Sequence, residues 1–446
     1  MADRVDDMPE EVEQGKKRRR KAPIEENINT LDYVGDPALD PGLAGWLESA
    51  RGFRGSSKLL VEGAEVSNII GIPFPALCLE YLYQSNVYPL GRSEMLAGVQ
   101  GTNKSCYLYD HYRWFKAAKG VAVHVENENK DDRHTMWEIL DHEPNLRVFP
   151  FQSDSMDDWI GIAIDLLTGG PKTRGSLRSL LGPNFKKVPV ILGVDSFFGK
   201  LAEASAETIF KDRCVKRTYS WESQAASRFL KAVTQCIRFV PFAMVGTNHD
   251  KISYNEYNQK VHNITGGYAL RFQDTIEILM EKLSSERRAE FSYNRILFEA
   301  AKNSAGRDHT TIIADIKFGE LDPETGQQQV TWDWDTCTTN LLIGRDARSK
   351  SDDKFFGAIK RNLDRVREIV DINEMSGNRM WSKALNVPQD DSIDRAEMGR
   401  LINQNEELRK LLRPILGVRT HKIFKLGELY AEQMGMVEPR SSDDDA

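Results

Sequence analysis

A short strand pattern, SEMLAG (93–98), leads through a glycine-bearing loop straight into SCYLYDHYRWFKAAKG (105–120), which has helical spacing. The junction reads GVQGTNKS (98–105). Strand, loop and helix in that order carry the G-x-x-x-x-G-K-[ST] pattern with one exchange, because Asn103 stands where the second glycine belongs. Such a loop wraps phosphates with backbone N–H groups at a helix N-terminus, where the helix dipole also favours negative charge. Gly98, Val99, Gln100, Gly101, Thr102, Asn103, Lys104, Ser105 and Cys106 are therefore the candidate nucleotide-binding residues. Lys104 would reach the outer phosphates and Ser105 would hold Mg2+. Asparagine is among the few residues besides glycine that enter left-handed backbone readily, so the turn can still close at Asn103.

Three further apolar runs follow at spacings suited to an α/β fold with a mainly parallel central sheet flanked by helices. VAVHV (121–125) runs into Glu126, a carboxylate at a strand end that could activate water, with Glu128 as the competing candidate. KVPVILGVDSFFGK (187–200) presents Asp195 at its end, the place from which a carboxylate supports Mg2+ through its water shell. FVPFAMVGTNHD (239–250) ends in Thr247, Asn248 and His249, polar side chains expected beside a γ-phosphate.

Outside this block the chain divides by composition. Residues 1–25 join an acidic start to GKKRRRKAP (15–23) and read as a disordered charged arm, which could touch DNA, serve as an address or simply be solvated. Residues 26–90 mix short helical stretches with turn signals, 91–335 form the core, and 336–446 a helical C-terminal region ending in the acidic EPRSSDDDA. A net charge of -7 argues against coating nucleic acid by bulk electrostatics and leaves DNA binding to local basic loops. Five scattered cysteines, without a C-x-x-C pair, fit neither a structural zinc site nor a disulfide framework. No apolar run nears the roughly 20 residues of a membrane span, and the acidic start does not suit a signal peptide. An intracellular, soluble protein is expected.

Beyond His249 the chain resembles the RecA family of homologous-recombination ATPases. TGGYALRF (265–272) is similar to the end of that family's second DNA-binding loop, while GIPFPALCLEYLY, LGR and FPFQSDSMDDWIGIAIDLL agree with its other segments. EAAKNSAGRDHTTIIADIKFGE (299–320) resembles its KNK-containing strand pair. The likeness covers roughly residues 70–325 and is greatest to the UvsX-like phage recombinases, which also replace the last glycine of the loop and share the Asn-His pair. Two departures stand out from the wider family: His249 replaces its usual glutamine, and Ser304 its second lysine.

The resemblance implies a RecA-like P-loop ATPase core using ATP and Mg2+. Lys104 and Ser105 would hold phosphate and metal, with Asp195 as the second metal-site residue. Glu126 would position water, Asn248 and His249 would couple nucleotide to DNA, and Lys302 would reach a neighbouring subunit's nucleotide. Lys216, Arg217 and Tyr219, with Lys251, Tyr254, Tyr257, Lys260, Gly266 and Gly267, would contact single-stranded DNA, the cations at phosphates and the aromatics at bases. The implied activity is homologous pairing and strand exchange in recombination and repair. Its partners would be single-stranded DNA, a homologous duplex, further copies in a head-to-tail helical filament, and mediator and single-strand-binding proteins in the cytoplasm of a phage-infected host. A non-hydrolysing accessory paralogue and a ring-forming helicase on the same core are the alternatives.

Overall fold

Strands read from the sequence as apolar runs form the parallel half of a large sheet. These are β3 (Arg92–Gly98), β4 (Val121–Glu126), β5 (Val148–Gln152), β6 (Val190–Asp195) and the first part of β7 (Phe242–Tyr254). The order across this half is β3-β7-β6-β4-β5, and every neighbouring pair is parallel. All six residues of β4 and of β6 are buried, as expected of strands covered on both faces. The structure is a computed structural model that describes residues 69–127, 148–152, 160–161, 184, 186–197, 229–230, 240–254, 256, 260–264, 275–287, 292–321, 328–344, 353–375 and 378–429.

The sheet as a whole is mixed, and this corrects the expectation of a mainly parallel one. On the far side of β3 lies β9 (Ile276–Arg287), still parallel, followed by β10 (Ser292–Asn303), β11 (Thr310–Leu321) and β12 (Gln328–Trp332), each antiparallel to its neighbour. The physical reason is connection length. Parallel neighbours need a crossover of a dozen or more residues, whereas these long strands are separated by only four to six residues, which permits only hairpins. The strand pair anticipated over 299–320 is β10 with β11. β7 also runs beyond its expected end at residue 250 and pairs antiparallel with β8 (Lys260–Ile264), completing ten strands.

Helix α1 (Leu77–Tyr83) precedes β3, and α2 (Lys104–Ala117) follows the loop. α2 is buried on nearly every side, with Tyr107, Tyr112 and Phe115 fully enclosed, because one side meets the sheet and the other meets later elements. Its Tyr107 packs edge-on against Phe298 at 4.9 Å and against Trp332 at 5.9 Å, and Trp332 stacks on Trp334 at 5.3 Å. Such ring geometries add about 0.5–1.5 kcal/mol each beyond the buried area.

The C-terminal part contributes α3 (Trp334–Ile343), α4 (Asp353–Val370), α5 (Arg395–Gln404) and α6 (Glu406–Leu416), with the small hairpin β13 (Ile372–Glu374) and β14 (Met380–Ser382). It is tied into the first described elements. β15 (Lys422–Ile423) pairs parallel with β1 (Ile70–Pro73), which pairs antiparallel with β2 (Val87–Pro89). Arg409 and Arg413 of α6 both bind the wholly buried Glu80 of α1, Arg413 through Nε at 2.8 Å and Nη2 at 2.7 Å. Burial works against the Arg413 charge, but hydrogen bonds to Glu80 and Glu406 outweigh it and hold the guanidinium above its ordinary range. The described residues belong to one compact unit, Glu62–Ala446; the other, Met1–Val61, lies outside them. Among the described residues no helix is long and apolar enough to cross a membrane.

Candidate nucleotide site

The loop between β3 and α2 closes in the way its sequence demands. Asn103 has φ 61 and ψ 34, the left-handed conformation expected of it, and forms the N-cap of α2. Asn294 Nδ2 of β10 donates to its side-chain oxygen at 3.0 Å, so the residue is anchored as well as turned. Gly98 is required by crowding, because a Cβ there would lie 2.5 Å from the Met280 carbonyl oxygen of β9 and 2.7 Å from Thr102 Oγ1. Lys104 is buried with its ammonium inside the loop, donating to the carbonyls of Gly98 at 2.9 Å and Val99 at 3.0 Å. Val99 and Asn103 are half-buried, Thr102 and Cys106 are buried, and Gln100 and Gly101 are exposed at the tip.

Facing the helix start is a strand-end carboxylate. Ser105 Oγ donates to Asp195 Oδ2 at 2.5 Å, and Thr247 Oγ1 donates to Asp195 Oδ1. One carboxylate therefore ties the loop helix, β6 and β7 together at the carboxyl ends of parallel strands, where open α/β sheets place their ligands. Glu126 lies beside Asp195 in register on the neighbouring β4, and both are buried. The Asn127 amide donates to the Asp195 carbonyl at 2.7 Å and its side-chain Nδ2 donates to the Ser196 carbonyl at 2.9 Å, closing the chain around the strand ends.

The alternation of β7 separates the residues that the sequence grouped together. Thr247 shares the α2 face with Asp195, and His249, two residues on, follows the same alternation. Asn248 takes the other face, where its Nδ2 approaches Met95 Sδ at 3.5 Å and its Oδ1 accepts from the His249 amide at 2.8 Å. His249 is level with Gly98 in the ladder, beside the loop entrance. Thr247 is thus the strand-end side chain that reaches Asp195, a role signalled in the sequence by its even spacing from Val245 and Ala243. Sequence reasoning also passed over His124, which stands between Tyr112 and Glu126. Its signal was a polar residue inside an otherwise apolar strand.

Lys302 is not brought to the loop within this chain. It pairs with Glu277 at a bulge of β10, and Glu277 pairs with Met95, three residues before Gly98 on β3. Lys251, Tyr254 and Lys260 lie on the β7–β8 hairpin, where Lys251 pairs with Asn263 and Tyr254 with Lys260. Asp250 at the hairpin base, buried, is hydrogen-bonded to His262 Nδ1. Lys216, Arg217, Tyr219, Tyr257, Gly266, Gly267 and Glu128 lie outside the described residues, as do the arm at 1–25 and the acidic tail.

The donor set fits a phosphate ester with a divalent cation. Among the described residues no three His, Cys, Asp or Glu side chains gather as metal ligands. Mg2+ commonly needs no such cage, taking one or two protein oxygens with phosphate and water, and Ser105 with Asp195 can supply them. Compared with protein-family models and with curated proteins, the chain matches none.

Proposed function

We propose that this chain is an ATP-dependent DNA recombinase with a RecA-like core, which forms helical filaments on single-stranded DNA and catalyses homologous pairing and strand exchange. The observation that carries the proposal is the double use of β7. It gives Thr247 to the carboxylate that faces the phosphate loop, then runs on into the hairpin bearing Lys251, Tyr254 and Lys260. A strand shared in this way can pass a change at a nucleotide to a DNA-contacting segment over a few residues.

ATP would bind with its phosphates on the amides of residues 98–106 and its Mg2+ on Ser105, supported by Asp195. When bound, the metal neutralises charge developing on the phosphates. Glu126 would hold and polarise the attacking water. Lys302, distant from the loop of its own chain, would serve the nucleotide of an adjacent copy in a head-to-tail assembly that does not close. Phosphate contacts hold DNA without reading sequence, so recognition of homology falls to base pairing between the bound strand and the duplex.

Electron micrographs of the protein with single-stranded DNA and a non-hydrolysable ATP analogue, paired with an ATP turnover assay, test this. Open helical filaments with DNA-stimulated turnover are expected. Filaments without turnover would make it an accessory filament protein, and closed six-fold rings a helicase. Coupling must be reciprocal, each ligand tightening the other by one factor. His249→Ala should reduce both enhancements together while leaving ATP binding without DNA nearly intact.

A further inference from the structure

β4 alternates, so the pleat that turns Glu126 toward the crevice turns His124 to the same face one step deeper. Tyr112 Oη of α2 lies 2.8 Å from His124 Nδ1, and His124 Nε2 lies 3.7 Å from Glu126 Oε2. The three side chains form a buried line, with Tyr112 0%, His124 3% and Glu126 6% exposed. Space for this line is left by the neighbouring strand. Gly193 pairs with His124, and a Cβ on Gly193 would lie 1.7 Å from Tyr112 Oη. Tyr109, also from α2, packs edge-on to the His124 ring at 5.5 Å.

The proton on the imidazole follows from its two neighbours. Burial, and then the nearby Tyr109, Asp195 and Glu126, hold the Tyr112 hydroxyl well above its ordinary range, so it remains a phenol. A phenol donating to Nδ1 leaves the imidazole proton on Nε2, facing the carboxylate. The reverse polarity of a neutral ring would set a bare Nε2 lone pair against the Glu126 oxygens in a buried space, two acceptors with no donor between them.

We propose that His124 is a positioning residue for Glu126, presenting Nε2–H to Oε2 and so fixing the orientation of the carboxylate toward the attacking water. This rests on Glu126 activating water, as above. Hydrogen bonds of this kind are often long without substrate and tighten in the reacting complex, so 3.7 Å suits a resting geometry. Because Tyr109 and Tyr112 belong to the helix that begins at Lys104, the helix whose first turn would bind phosphate also fixes the base through His124 from farther along its length.

Nitrogen-15 NMR of the full-length chain reads the imidazole directly. A proton on Nε2 is expected, and an unprotonated Nε2 overturns the inference whether or not any variant folds. In turnover assays, His124→Ala should lower kcat about tenfold or more while leaving affinity for an ATP analogue unchanged. His124→Gln, which keeps a donor near the Nε2 position, should recover much of the loss. In a Glu126→Gln background His124→Ala should cost nothing further, since the residue to be positioned is already disabled. A loss that adds in that background, or one confined to nucleotide affinity, overturns the positioning role. Wild-type protein without ATP turnover overturns the functional proposal and the role of His124 with it, whereas the wrong tautomer overturns only this inference.

Discussion

The side chain of Asn294, on the antiparallel half of the sheet, donates to that of Asn103, the left-handed cap of the loop helix, at 3.0 Å. Asn103 is thus fitted to its position twice, by its backbone and by its side chain. Asn103→Gly should keep the turn and lose the bond to Asn294 with the weaker donation to Cys106 Sγ, together about 1 kcal/mol. Asn103→Val should lose both and also force a β-branched residue into left-handed backbone, at least a further 1–2 kcal/mol or so. Denaturation midpoints would order the proteins wild type, Gly, Val. Equal midpoints for the two variants would mean that the turn is not left-handed.

Lys104→Ala removes an ammonium that donates to the Gly98 and Val99 carbonyls. Because those carbonyls lie in a loop that can rearrange toward water, the cost in stability should be modest, on the order of 1 kcal/mol. Nucleotide binding and turnover should be lost altogether. Circular dichroism melts and ATP turnover measured on the same preparation check both halves, and unchanged turnover would remove the phosphate-loop assignment.

Glu126→Gln keeps shape and burial but cannot activate water. It should bind an ATP analogue normally and hydrolyse ATP about 10²–10⁴-fold more slowly. If Glu128→Gln is the slow variant and Glu126→Gln is near normal, the catalytic carboxylate is the later one.

His421, next to β15, is pushed below its ordinary value of 6.5 by burial first and by the guanidiniums of Arg419 and Arg92, against a backbone hydrogen bond. A lowered histidine pKa means that the unfolded chain binds the proton more readily. Stability should therefore rise with pH across the window between the lowered value and 6.5, and be free of this penalty above it. His421→Gln should flatten that part of the curve of melting temperature against pH. An identical acid slope in the variant would assign the sensitivity to other groups.

The crevice strands were legible because buried parallel strands are written as unbroken apolar runs: β4 and β6 begin and end within a few residues of the patterns that announced them. Asn103 was legible because only a handful of residue types tolerate its backbone. Three things were hidden. The antiparallel half follows from the few residues that separate its long strands, and that information is weaker than a periodicity. The separation of Thr247 from Asn248 follows from pleat phase, which becomes fixed only when one neighbour, Asp195, is placed opposite. Glu94 shows the same limit: a carboxylate in SEMLAG gives no hint that it will be sealed in the core, accepting from the Tyr83 hydroxyl at 2.7 Å with His111 3.5 Å away.

Glu80 and its two arginine partners also set a timetable. Arg409 follows it by 329 residues and Arg413 by 333, so at roughly 5–20 residues per second a ribosome would present the carboxylate on the order of tens of seconds before either guanidinium exists. Until then α1 cannot dock without stranding a charge in an apolar interior, a cost of several kcal/mol that favours leaving it in water. β1 waits equally long for β15. The loop at 98–105 and its strands can be made early, yet the scaffold on which they rest is completed only once Arg409, Arg413 and β15 have followed. Nascent chains stalled before residue 409 should accordingly be cut by protease within α1, and chains released after 413 should resist.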